Sequence, residues 1–138
     1  MNQKERHRAR RMIVQALYER EISQNESQQI IADFLINNSQ LKFDRSYFQT
    51  SFINILDSMI DLDNLFIKYI KRDLKELDPV TRAILRLASF ELKDKLDVPY
   101  KVIINEAIDI AKIFGAEDSY KFINGSLDKL AKELRPNG

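Results

Sequence analysis

Three glycines and three prolines punctuate 138 residues. A chain with so few turn formers breaks rarely, so its apolar residues must be buried by long elements with few connections. Their spacing says which kind. Ala9, Met12, Ile13, Ala16 and Leu17 recur at three- and four-residue intervals, the stripe of an amphipathic helix. Residues 23–25 form a polar turn, and a second helix is predicted over 26–36 with Ile30, Ile31, Phe34 and Leu35 inward. After a polar loop over 37–40, Asp44 reads as the N-cap of a long helix. Its seam is Phe48, Phe52, Ile55, Met59, Leu62, Phe66 and Tyr69, in unbroken four-three spacing. Asp78-Pro79 is a strong start signal, because Asp caps and Pro fits the first helical position. Val80, Ile84, Leu87 and Ala88 carry that helix to about Leu92. Pro99 opens the next, with Ile103, Ala107, Ile110, Ala111 and Phe114 inward and Gly115 as its stop. The last begins near Asp118 and buries Ile123, Leu127, Leu130, Ala131 and Leu134. The expectation is one all-α domain over residues 1–138, a bundle of about six or seven helices without a strand.

Charge is distributed unevenly. The chain carries 22 Lys+Arg and 21 Asp+Glu, a net of +1. Lys4, Arg6, Arg8, Arg10 and Arg11 against Glu5 give the first eleven residues +4, so the rest nets −3. A near-neutral body with one basic end suggests a polyanionic partner, most simply nucleic acid. On a helical wheel Arg8, Arg11, Gln15 and Tyr18 fall opposite the apolar stripe, with Arg6 and Arg10 nearer the flank. The plain alternative is a solvated face on a fraying terminus. The interleaving favours function: phosphate charge, hydrogen bonding and a stacking plane on one surface are what unpaired RNA requires. His7, among arginines, suits a phosphate or base contact better than a metal.

The last helix offers a second feature. Phe122 projects away from Ile123 and Leu127, beside Asp118, Gly125, Ser126 and Lys129. It either packs on another helix or forms an exposed stacking platform. Gly125 within a helix costs up to ~1 kcal/mol relative to Ala, which close packing or the approach of a ligand would explain. Asp118 reads as a cap or first-turn acid, and at an RNA surface would weaken binding by repelling phosphate. Asn105 and Asn124, within helices, read as buried hydrogen-bonding groups rather than as chemistry.

Catalysis finds little support. His7 is the only histidine, there is no cysteine, and no Gly-rich phosphate loop occurs. The carboxylate pairs Asp57/Asp61 and Glu106/Asp109 lack the histidines of a di-iron site. The expectation is a non-enzymatic protein without metal or cofactor. With no membrane-length apolar run and no apolar stretch at the N-terminus, it is also expected to be soluble and cytoplasmic.

Specific strings resemble the NusB family of bacterial transcription antitermination factors. They are Arg8-Ala-Arg-Arg with Val14-Gln-Ala-Leu-Tyr18, Arg82-Ala-Ile-Leu-Arg-Leu-Ala88 with Glu91-Leu92, and Val98-Pro-Tyr-Lys-Val with Ile104-Asn-Glu-Ala107. Phe114-Gly-Ala-Glu-Asp-Ser119 and Lys121-Phe-Ile-Asn-Gly125 complete the set. The resemblance implies two packed three-helix bundles that bind single-stranded boxA RNA together with NusE, a small-subunit ribosomal protein. The complex joins the RNA polymerase elongation complex and supports ribosomal RNA transcription. On matching positions the resemblance implies an RNA surface of Arg6, Arg8, Arg10, Gln15, Tyr18, Asp118 and Phe122, drawn from the first helix and the start of the last. Arg11 joins on charge, with His7 (where arginine is common) and Lys121 beside it; Tyr120 stands where histidine is common. The NusE contact implied is Glu76, Asp78 and Arg82, with Thr81 replacing an acid. Two alternatives stay open at this stage: a helical protein-interaction adaptor without RNA contact, and, ranked last, an RNA-binding module of an RNA methyltransferase. Monomer and homodimer are likewise both open.

Overall fold

In the computed structural model, which describes residues 2–114 and 119–138, all regular structure among the described residues is helical. The helices are α1 (Gln3–Ser23), α2 (Ser27–Asn37), α3 (Arg45–Asp57), α4 (Met59–Ile67), α5 (Pro79–Asp94), α6 (Tyr100–Ile113) and α7 (Tyr120–Leu134). A 3₁₀ turn, Leu74–Glu76, precedes α5. They group into two units, Met1–Asp57 and Ser58–Gly138.

The first unit packs α1, α2 and α3 against one another. Asn2 caps α1: its Oδ1 accepts from the Glu5 N–H at 2.8 Å, while its amide donates to the Glu5 carboxylate at 2.7 Å. The helix ends where Gln24 turns left-handed, φ 61°. The core of this unit is aromatic. Phe48 and Phe52 stack at 6.2 Å between centroids, Phe43 meets Phe48 edge-on at 6.0 Å, and Phe34 lies 5.7 Å away. Ile13, Ala16 and Ile55 are buried with them, as the spacing predicts.

The second unit is built around α5, in which Ala83 to Leu92 are buried without interruption. It contacts α4, α6 and α7. Asp78 caps it as expected, accepting from the Thr81 N–H at 3.0 Å and from the Thr81 hydroxyl at 2.7 Å. Arg86 on α5 makes a two-pronged ion pair with Asp63 on α4, at 2.8 and 3.0 Å. Past the end of α7, Arg135 donates to the carbonyls of Glu91 (3.0 Å), Leu92 (3.1 Å), Lys95 (2.8 Å) and Val98. It thereby ties the end of α7 to the last turn of α5 and to the segment that follows it.

Three expectations change. Asn105 and Asn124, expected to be buried, are both exposed, because each lies off the buried stripe of its helix. The long helix over 44–69 is two helices, because the chain leaves helical geometry at Ser58 (φ −115°, ψ 20°) and α4 restarts at once. The four-three spacing survives the break, since Ile55 and Leu62 are both fully buried; spacing records which side faces inward, not whether the backbone is continuous. The break also assigns α4 to the second unit, which therefore holds four helices rather than three. The expected stop at Gly115 and start at Asp118 lie outside the described residues.

Candidate nucleic-acid interface

The basic helix α1 divides its cations between internal and external work. Asp44, itself buried, caps α3 by accepting from the Tyr47 N–H at 3.0 Å, and its second oxygen accepts from Arg6 Nε at 3.0 Å. The Arg6 guanidinium lies 3.8 Å from the Tyr47 ring centre, and that of Arg10 6.0 Å from the same ring. Arg8 donates to the Lys42 carbonyl at 2.8 Å. The N-terminal half of α1 is thus tied to the loop before α3 and to the first turn of α3.

Arg10 departs from the wheel expectation. It is only 4% exposed and lies in one helical row with the buried Val14 and Leu17. α1 buries a wider arc than its apolar stripe predicts, and an RNA-contact role does not fit a side chain so enclosed. Arg6, Arg8, His7 and Arg11 are half-buried, and His7 also has partners of its own. Gln15 is exposed, and Tyr18 is 40% exposed although its ring is large and apolar. Arg8, Arg11, Gln15 and Tyr18 follow at intervals of three or four residues, so they run down one side of α1 over about 15 Å.

On the second unit, Lys121 is exposed and Phe122 half-buried, at the start of α7. Phe122 is not enclosed by a neighbouring helix: the Arg72 guanidinium lies 5.0 Å from its ring centre. Sequence reasoning did not single out Arg72. The two positions are fifty residues apart, and a helical wheel relates only residues of one helix. Lys112 lies 5.0 Å from the Tyr120 ring. Gly125 is exposed, and a Cβ there would meet nothing within 4 Å, so close helix packing does not account for it. Asp118 lies outside the described residues.

The chain between α4 and the 3₁₀ turn is pinned to α7. The Lys68 ammonium pairs with the Glu133 carboxylate at 2.8 Å, the Tyr69 hydroxyl donates to the same carboxylate, and Ser126 Oγ donates to the Tyr69 carbonyl at 3.3 Å. The hydrogen bonds from Lys68, then Tyr69, hold the Glu133 carboxyl below its ordinary value; those same bonds raise Lys68 and Tyr69. Glu133 is therefore charged at neutral pH; the clamp is lost as pH falls through the carboxyl's depressed folded value, and again at high pH as Lys68 and Tyr69 deprotonate through their raised values.

The expected partner residues also have internal duties. Asp78 is committed to capping α5, and Arg82, half-buried, donates to the Leu74 carbonyl at 3.2 Å and to that of Leu77. Glu76 is exposed. Thr81, standing where the resemblance expects an acid, is buried and closes the Asp78 cap. Among the described residues no group of His, Cys, Asp or Glu could hold a metal, and no helix is long and apolar enough to cross a membrane.

The helical order matches a known group of proteins. The model of the NusB family matches residues 7–132. The chain belongs to the NusB family. It is 50% identical over 129 residues to the transcription antitermination protein NusB of Pasteurella multocida, covering 94% of this chain and 90% of that protein. It is 47% identical over 131 residues to NusB of Colwellia psychrerythraea, covering 95% of each. A solved structure of T. maritima NusB superposes with a TM-score of 0.82 at 34% identity, over 92% of this chain and 90% of that one. The NusB likeness bears out the all-α expectation and agrees with a non-enzymatic protein.

Proposed function

We propose that this chain is a transcription antitermination factor that binds single-stranded boxA-type RNA, acts with NusE, and joins the RNA polymerase elongation complex. The observation that carries this reading is the outward side of α1. Arg8, Arg11, Gln15 and an exposed Tyr18 succeed one another there, opposite the face that builds the core of the first unit. Arginine supplies phosphate charge, Gln15 a donor and an acceptor, and Tyr18 a plane for an unpaired base. Lys121 and Phe122 offer the same pairing of charge and ring at the start of α7. Arg6 contributes chiefly by holding the 42–47 segment in place. Glu76 is the NusE-facing residue, with Asp78 and Arg82 shaping the backbone beside it.

The test is a titration of labelled boxA-type and scrambled RNA across salt concentrations, with and without NusE. Tyr18→Ala is expected to cost ~1–3 kcal/mol of RNA affinity if it stacks, with no matching loss of melting temperature. Arg11→Ala is expected to reduce the slope of log affinity against log salt by about 0.7, the value for one phosphate on a single strand. Equal affinity for both RNAs, unaffected by NusE, favours the adaptor reading instead. The internal ties of Arg6, Arg8 and Arg10 are the observation on that side.

Gly125 supplies an independent check. Gly125→Ala adds helix propensity in open space, so stability is expected to rise by up to ~1 kcal/mol, a few degrees in melting temperature. RNA approaching the backbone beside Phe122 would bind this more stable variant more weakly. Unchanged affinity removes Gly125 from the interface.

A further inference from the structure

We propose that Arg72 contacts an RNA phosphate, its guanidinium held over the Phe122 ring so that charge and aromatic surface face the strand as one unit. The inference rests on the RNA-binding reading above and adds to it a residue on a different segment of the chain. Four observations converge. The Lys68–Glu133 ion pair, the Tyr69 hydroxyl and the Ser126 bond to the Tyr69 carbonyl fix Lys68 and Tyr69 on α7. Lys71 then adopts a left-handed backbone, φ 56°, which L-residues with side chains rarely take, and this turns the chain immediately before Arg72. Arg72 is exposed, yet its guanidinium lies 5.0 Å from the Phe122 ring centre. Phe122 is half-buried rather than enclosed, one residue from exposed Lys121 and one turn from exposed Gly125.

An exposed cation on a ring adds little to folding once the ordering of a long side chain is counted. The arrangement does more for binding. A guanidinium ordered in advance loses less freedom when it meets a phosphate, and its flat fork matches phosphate oxygens as a lysine cannot. With a 5.0 Å approach no base fits between the two planes. The base therefore packs against the uncovered part of the pair while the guanidinium edge takes the neighbouring phosphate.

The experiment uses the full chain and a labelled boxA-type single-stranded RNA, titrated at several salt concentrations. Arg72→Ala, Arg72→Lys, Phe122→Ala and the double variant Arg72→Ala/Phe122→Ala are compared with the unaltered protein, all checked for unchanged melting temperature. Arg72→Ala is expected to weaken binding roughly tenfold and lower the salt slope by about 0.7. Arg72→Lys is expected to keep the slope but lose part of the affinity, since charge without the stacked fork remains. In the Phe122→Ala background, removing Arg72 is expected to cost less than in the unaltered protein. Arg72→Ala binding with unchanged affinity, or binding more weakly with the full salt slope, overturns the proposal. Failure of the unaltered protein to bind RNA in a salt-dependent way overturns instead the functional reading beneath it, and is seen before any variant is made.

Discussion

Phe48→Ala is expected to lower the unfolding free energy by about 4 kcal/mol, the range for deleting a fully buried aromatic ring. Phe48 is 0% exposed and touches three other rings: Phe52 stacked on it, Phe43 edge-on and Phe34 tilted. Alanine leaves a void bounded by those rings, which cannot all close on it because Phe43 and Phe52 are themselves enclosed. For a chain of this size the loss corresponds to a fall in melting temperature of roughly 10 °C. Urea unfolding followed by circular dichroism measures it; a loss under about 1 kcal/mol would mean that the cluster is not the core of the first unit. Phe48→Leu keeps most of the volume and is expected to cost less than half as much. Below its melting range the variant should still bind RNA normally, because a residue without exposed surface cannot touch it. That outcome is the mirror of Tyr18→Ala, where affinity falls and the melt does not.

The contrast between Phe48 and Tyr18 also shows what the sequence discloses. Phe48 belongs to a periodic seam, and periodicity is a property of the chain itself, so the burial of Phe52, Ile55, Leu62 and Phe66 was legible with it. Caps were equally legible at Asp44 and Asp78, because each acts on a backbone N–H three residues away. Arg10 was misplaced for a physical reason. A wheel assigns charged residues to solvent, whereas a guanidinium can be buried when an aromatic ring and further partners receive it, and Tyr47 lies thirty-seven positions along the chain. The Arg72–Phe122 contact escaped on the same grounds. The break at Ser58 escaped because neither proline nor glycine marks it, and because the inward-facing spacing resumes on the far side. Local signals thus define the elements and their faces, while pairings between elements arise only in the folded chain.

Asp63→Ala is expected to destabilise the chain by about 3 kcal/mol, since it strips a buried cation of its principal partner. The Asp63 and Arg86 side chains are 14% and 10% exposed, and the two bonds between them, at 2.8 and 3.0 Å, join α4 to the central α5. Arg86 has further contacts, which hold the cost toward the lower end of the range for broken buried pairs. Asp63→Asn keeps one oxygen to accept from the guanidinium and is expected to lose about half as much. The pair need not be favourable overall for this to hold: withdrawing two charges from water offsets most of their attraction. The double variant Asp63→Leu/Arg86→Met, which removes both charges and fills the space, is therefore expected to recover most of the single variant's loss in urea unfolding. A double variant as unstable as Asp63→Ala alone would show that the guanidinium's other contacts, rather than an uncompensated charge, set the cost. Recovery would identify the ion pair as a device that fixes how α4 lies on α5, with packing supplying the stability.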